Sequence, residues 1–281
     1  MIITQNRNTS NISQIEATPV KYPFCFTIAG DTAASPNPVG DAIFGEILRQ
    51  MQQLGPKPLF FANLGDFAGP GTLECHEHYL RLVGHLNIPN ICTMGNHDAD
   101  DPVGGENFAR LYGPVNFQFA YGNTCFVAIN VHNPGPREVD LDFLAEALGS
   151  DGHPNQVVLM HMPPNLNNHY APHPEWGFSR LEREFLDIVK THRVRLVCCA
   201  HVVAYDYYVY DGIPLVVSGG GGWGLCSHYG GCQSLAMGTP GQRGSFYHFV
   251  QVSVDKSGAI SGRVIPAFQG IRENPDYSFR A

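Results

Sequence analysis

What most constrains the fold of this chain is a series of short runs rich in β-branched and aromatic residues, at 24–29, 59–64, 91–94, 125–130, 157–160, 196–199, 215–218 and 246–254. Runs of this length read as strands, and together they are enough for two sheets. Helical spacing fills some of the intervals. Ile43, Phe44, Ile47, Leu48, Met51 and Leu54 share one helical face, as do Leu181, Phe185, Ile188 and Val189. The second helix is expected to begin at Ser179, with Glu182 three residues on completing a capping box. Strands alternating with amphipathic helices predict an α/β architecture around buried sheets. Polar stretches rich in Pro and Gly at 32–40, 98–106, 163–177 and 219–243 read as loops. Residues 1–22 read as a polar lead-in with low structure, and residues 23–281, which contain no internal repeat and no linker, as a single domain.

Five of these strand regions end in a residue able to bind a metal. Asp31 follows the first run and Asp66 the second, Asn96 lies in Gly95-Asn96-His97-Asp98, and His161 and His201 follow the runs that end at 160 and 199. Ligands in open α/β sheets gather at the carboxyl ends of the strands, so residues far apart in the chain can converge there. Oxygen and imidazole donors together suit manganese, iron(II) or zinc better than calcium. Taken singly, each residue has an ordinary role: Asp after Gly forms turns and N-caps, and a histidine at a strand end commonly bonds to backbone. The ordered series is what points to a site.

That series resembles the calcineurin-like metallophosphoesterase superfamily, whose pattern is Asp-x-His, Gly-Asp, Gly-Asn-His-(Asp/Glu), a lone His, then Gly-His-x-His. The resemblance covers roughly residues 24–225. Gly65-Asp66 and Gly95-Asn96-His97-Asp98 match in full, and Leu159-Met160-His161-Met162-Pro163-Pro164 looks like the fourth motif. The strand and glycine run at 211–222 looks like the close of the fold in the purple-acid-phosphatase-like branch, where the glycines imply close backbone approach to the site. The resemblance implies a four-layer α/β/β/α sandwich of two mixed sheets, with the metal at one edge. It also implies hydrolysis of a phosphate ester, monoester or diester, by a metal-activated water. In that reading Asp31 orients the water or acts as its base, His97 protonates or stabilises the leaving oxygen, and Asp98 fixes the His97 imidazole.

The chain departs from the pattern at two histidines. Asp31-Thr32-Ala33 stands where the family has Asp-x-His, and Ala200-His201-Val202-Val203 where it has Gly-His-x-His. Both missing imidazoles belong to one family metal position. The tyrosine that replaces the first of them in purple acid phosphatases corresponds to Gly69 here. The other position carries over whole, as Asp66, Asn96, His161 and His201. One strongly bound divalent ion (Mn, Fe or Zn) is therefore expected, with Asp31 and the shared Asp66 a poor cage for a second. His76, His78, His132, His169, His173 and His228 remain open as substitute ligands, although helical and loop histidines usually have other roles.

Seventeen Lys and Arg against 25 Asp and Glu, with no basic run, argue against binding to a nucleic-acid backbone. No apolar stretch reaches 18 residues, and the polar N-terminus has no secretory pattern, so a cytoplasmic protein without membrane association is expected, acting on a small-molecule phosphate ester. Cysteines inside apolar runs fit a reducing compartment, whereas Cys226 and Cys232 could pair. Trp176, Tyr170, Trp223 and Tyr229 could stack on a substrate ring or pack locally. The alternative to an esterase is a degenerate scaffold that binds a metal, a phosphorylated ligand or a protein partner without turnover. Retention of His97 and Asp98 weighs against it, and a serine hydrolase is disfavoured because no Gly-x-Ser-x-Gly elbow occurs.

Overall fold

A computed structural model describes residues 6–32, 36–132, 135–150, 152–171, 173–226, 242–268 and 278–280. Two mixed sheets lie face to face. The first has the order β13-β12-β11-β1-β2-β3, made by Ser278–Arg280, Ile260–Pro266, His248–Val254, Phe24–Ala29, Phe61–Asn63 and Asn90–Cys92. The second has the order β10-β8-β9-β7-β6-β5-β4, made by Gln242–Gly244, Tyr205–Tyr210, Ile213–Ser218, Leu196–Cys199, Asn155–Leu159, Thr124–Ala128 and Phe117–Tyr121. Strands β1, β2 and β3 run parallel, as do β5, β6, β7 and β9, so their carboxyl ends share an edge.

Three apolar layers hold the molecule together. Phe26, Phe60, Phe119 and Phe126 interlock between the sheets, with Phe26 and Phe60 stacked at 5.0 Å and Phe126 edge-on to both. On the outer face of the first sheet, α2 (Pro38–Gln53), α3 (Leu73–Val83) and α4 (Gly104–Tyr112) bury Phe44, Tyr79 and Phe108. On the outer face of the second, α5 (Glu138–Ser150) and α6 (Glu182–Thr191) bury Leu144, Phe185 and Val189. The result is the expected α/β/β/α sandwich. Among the described residues no helix is long and apolar enough to cross a membrane.

Three local expectations are corrected. Within the supposedly unstructured residues 1–22, Arg7–Glu16 form a helix, α1, that covers the edge strand of each sheet. Asn8 clamps β3 by donating to Cys92 O at 2.8 Å and accepting from Cys92 N at 2.9 Å; Asn11 donates to Asn90 O at 2.7 Å, and Ile15 enters the inter-sheet core. An uncovered edge presents unpaired backbone groups, and these asparagines satisfy them. Helix α6 begins at Glu182, not at Ser179. Phe178 is drawn onto the 163–165 segment by backbone bonds to Pro163 and Asn165, and the chain becomes helical only after Leu181, whose φ is 56°. Helix α2 starts inside the expected 32–40 loop, where Asn37 accepts from Val39 N and Pro38 takes the first helical position. Ala33, Cys232, His228 and Tyr229 lie outside the described residues, and with them the proposed Cys226–Cys232 pairing.

Candidate metal centre

Each expected site residue sits just beyond a strand on the shared carboxyl edge, and three of them occupy the left-handed region: Asp31 (φ 52°), Asp66 (φ 55°) and His201 (φ 66°). That conformation is unfavourable for a residue with a side chain, and its clustering here marks a backbone held by its surroundings. The restraints are visible. Asp31 N donates to Gly65 O at 3.0 Å and Thr32 N to Asp66 O at 3.0 Å, while Gly30 N donates to Ser218 O at 2.7 Å and ties the two sheets together. The glycine run does approach closely: a Cβ on Gly219 would lie 2.7 Å from the Asp31 carboxylate.

The structure brings Asp66, Asn96, His161 and His201 together. His161 Nε2 lies 3.3 Å from Asp66 Oδ2, 3.2 Å from Asn96 Oδ1 and 3.2 Å from His201 Nδ1. The far nitrogens of both imidazoles are occupied by backbone, His161 Nδ1 donating to Leu64 O at 2.8 Å and His201 Nε2 to Glu175 O at 3.2 Å. When both rings are neutral in those tautomers, two nitrogen lone pairs, a carboxylate and an amide oxygen face one another with no proton between them. Such a donor set fits a cation. Metal–donor bonds of about 2.0–2.2 Å place ligating atoms about 3.0–3.5 Å apart; His161 Nε2 stands at that spacing from the other three donors, and the donor atoms of Asp66, His161 and His201 all lie within 4.8 Å of one another. The field at this point favours positive charge: burial opposes charge on His161, yet the carboxylates of Asp66 and Asp31 raise its pKa to about 9, so a proton occupies Nε2 until a cation displaces it. His201 moves the other way, to about 4, because burial and the neighbouring His161 both disfavour a second positive ring.

Asp31 stands beside this group. Its Oδ2 accepts from His201 N at 2.9 Å, and burial, with the nearby Asp66 charge, holds its carboxyl well above the usual range. Among the described residues no further histidine joins Asp31 and Asp66. His76 is enclosed by Phe67 and Tyr112, His78 bonds Asp41 at 2.8 Å, His169 bonds Asp206 at 2.8 Å, and His173 lies 3.1 Å from Glu175.

The expected role of Asp98 is corrected. Its fully buried carboxylate accepts four backbone N–H groups, from Asp66 and Gly95 at Oδ2 and from Phe67 and Ala68 at Oδ1, at 2.8–2.9 Å. It braces the loop that carries Asp66 and does not touch the His97 ring. The partner of that ring is Asp100, whose Oδ2 lies 2.5 Å from His97 Nδ1. Asp100 was indistinguishable in sequence from its acidic neighbours. A single 3-10 turn at His97–Ala99 selects it, by placing residue i+3 over the imidazole.

The fold has known counterparts. The calcineurin-like phosphoesterase family profile matches residues 26–205, and the chain belongs to that family. It is 26% identical over 181 residues to a probable cyclic nucleotide phosphodiesterase from Synechococcus sp., covering 58% of this chain and 63% of that protein. The chain thus spans somewhat less than two thirds of that relative's length. Among solved structures it resembles a purple acid phosphatase from yellow lupin seeds, with a TM-score of 0.73 and 14% identity over 93% of this chain and 55% of that one. A dimetal phosphatase from Danio rerio matches at a TM-score of 0.67 and 10% identity, over 92% and 98% of the two chains. At these identities the structural likeness establishes the fold.

Proposed function

We propose that this protein is a metal-dependent phosphoesterase with one well-formed metal position, built from Asp66, Asn96, His161 and His201, that acts on a small-molecule phosphate ester. The observation that carries this reading is the convergence of two imidazole lone pairs with a carboxylate and an amide oxygen, each imidazole oriented by a backbone carbonyl at its far nitrogen. A divalent transition ion held there supplies Lewis acidity at a phosphoryl oxygen and lowers the pKa of water. Asp31, fixed by the His201 backbone N–H, orients the attacking water and takes its proton. His97 faces the other end of the displacement. With Nδ1 committed to Asp100, its Nε2 is the atom that gives a proton to the leaving oxygen. The His97 side chain is 43% exposed, enough for an ester oxygen to reach it.

The name of the Synechococcus relative supports a phosphodiester substrate and places cyclic nucleotides first among those to test. Protein loaded in turn with manganese, zinc and iron(II) should bind one ion per chain and hydrolyse at least one of a cyclic nucleotide, an aryl phosphodiester and an aryl phosphomonoester. His161→Ala should lose both the ion and the activity. One ion bound with no turnover of any ester is the result expected of a binding-only scaffold and would overturn the enzymatic reading. Two equally held ions would overturn the single position.

A further inference from the structure

Trp223 is the residue at which the two ends of the proposed displacement meet. It follows the glycine run after β9, and its backbone N–H donates to Asp31 O at 2.9 Å, on the water side of the site. Its indole lies against the His97 imidazole, on the leaving-group side, with ring centroids 4.6 Å apart and planes inclined by 45°. Gly69 floors this contact. A Cβ there would come within 3.0 Å of Trp223 Cη2 and 3.1 Å of His97 Cβ, so any larger residue would push the two rings. At its Nδ1 the imidazole is held by Asp100. His97 is thus gripped by a carboxylate and an aromatic ring, although much of the side chain faces solvent.

We infer that Trp223 is a positioning residue for His97, one that fixes the aim of the imidazole at the leaving oxygen and links that aim to the placement of Asp31. The inference rests on the phosphoesterase reading. An in-line displacement needs the entering water and the departing oxygen on opposite sides of phosphorus, and a donor misplaced by about 1 Å can cost on the order of 10²-fold in rate. A residue bonded to the Asp31 backbone and packed on the His97 ring sets their relation directly. Packing of rings against each other is directional, which suits it to holding a plane at a fixed tilt.

The test compares Trp223→Leu, which keeps an apolar side chain and removes the ring, with Trp223→Phe, which keeps a ring. Metal-loaded proteins are assayed on an alkyl phosphate ester, which needs a proton on its leaving oxygen, and on a p-nitrophenyl ester, which needs little. For Trp223→Leu, kcat on the alkyl ester should fall by roughly 10- to 100-fold, with less than a threefold loss on the aryl ester and little change in KM. Trp223→Phe should recover most of the loss, and in a His97→Ala background Trp223→Leu should cost nothing further. The ring itself gives a readout without turnover. The imidazole proton signals of His97, identified by their absence in His97→Gln, should carry an upfield ring-current shift in the parent and lose it in Trp223→Leu.

Equal losses on the two esters, full additivity with His97→Ala, or unshifted His97 signals in the parent would each overturn the inference while leaving the phosphoesterase reading intact. A loss confined to KM would also overturn it and would make Trp223 a substrate-contacting wall. A metal-loaded parent that hydrolyses no ester would overturn the phosphoesterase reading and the inference with it.

Discussion

At the scale of single residues, two aspartates two positions apart have been given opposite work. Asp98 is buried and accepts four backbone N–H groups; Asp100 is 46% exposed and meets one imidazole. Burial, then the Asp66 charge, push the Asp98 pKa up to about 6 despite those four donors. Asp98→Asn replaces an acceptor oxygen with an amide nitrogen that faces N–H donors. It should destabilise the fold by about 3 kcal/mol or more, measured by chemical denaturation. Asp100→Asn should shift stability by less than about 0.5 kcal/mol, as an exposed substitution does, and should lower turnover selectively on esters with poor leaving groups. An Asp98→Asn protein as stable as the parent would remove the brace assigned to that carboxylate.

At the scale of elements, helix α1 and the 163–177 loop are the segments whose work local sequence does not reveal. Helix α1 seals the open edges of both sheets, and the paired Asn8–Cys92 bonds are its tightest attachment to β3. Asn8→Leu leaves a buried N–H and a buried C=O without partners and should cost about 2–4 kcal/mol, read as a lower denaturation midpoint. Unchanged stability would show that water satisfies that edge. The 163–177 loop reaches from His161 to the Glu175 carbonyl that orients His201, and along the way His169 is held by the buried Asp206, which Arg243 also approaches at 3.2 Å. Asp206→Asn weakens that anchor. Metal affinity measured by calorimetry should drop by roughly 10-fold, the scale seen when outer supports of a metal ligand are removed. An unaltered affinity would mean that Glu175 is held without His169.

At the scale of the whole molecule, stability should respond to metal and to acid. A cation that binds only the folded chain stabilises it by about 2.7 kcal/mol at a free concentration 100 times its Kd. Chelation near neutral pH should therefore lower Tm by several degrees in the parent and leave His161→Ala unmoved. Acid acts through buried histidines. Burial lowers His76 and His248 from 6.5 to about 4, and neither ring nitrogen of His76 nor Nε2 of His248 has a hydrogen-bond partner. Between those values the unfolded chain binds protons that the folded chain refuses, so stability falls as pH drops from 6.5 towards 4. The contribution is absent above that window and reaches roughly 3 kcal/mol per residue below it. His76→Phe, set among Phe67 and Tyr112, should remove its share, seen as a shallower decline of Tm between pH 6.5 and 4. An identical decline would place the acid sensitivity elsewhere.

The sequence by itself determined the class of fold and the order of the ligands. Apolar runs specify strands through contacts repeated along the chain, and the first and seventh strands, Phe24–Ala29 and Leu196–Cys199, coincide with the runs read from sequence. Polar residues that end such strands come out at the carboxyl edge, so Asp31, Asp66, Asn96, His161 and His201 were legible as a converging set, and the family resemblance narrowed the expected ligands of one ion to Asp66, Asn96, His161 and His201. Other elements were not read from the sequence, among them β4, β8, β12, α4 and α5, although Phe117, Phe119 and Tyr121 alternate along β4 and Phe108, Leu111 and Tyr112 share a face of α4. Tertiary structure alone decided that Asp98 braces backbone while Asp100 meets His97, that α1 is a lid over two sheet edges, and that Trp223 lies on the His97 imidazole. Each of those outcomes depends on which polar or aromatic atom a distant segment presents. Hydrophobic periodicity encodes what kind of element a segment forms, whereas the pairing of individual atoms is settled only when the chain returns on itself and buried donors must find acceptors.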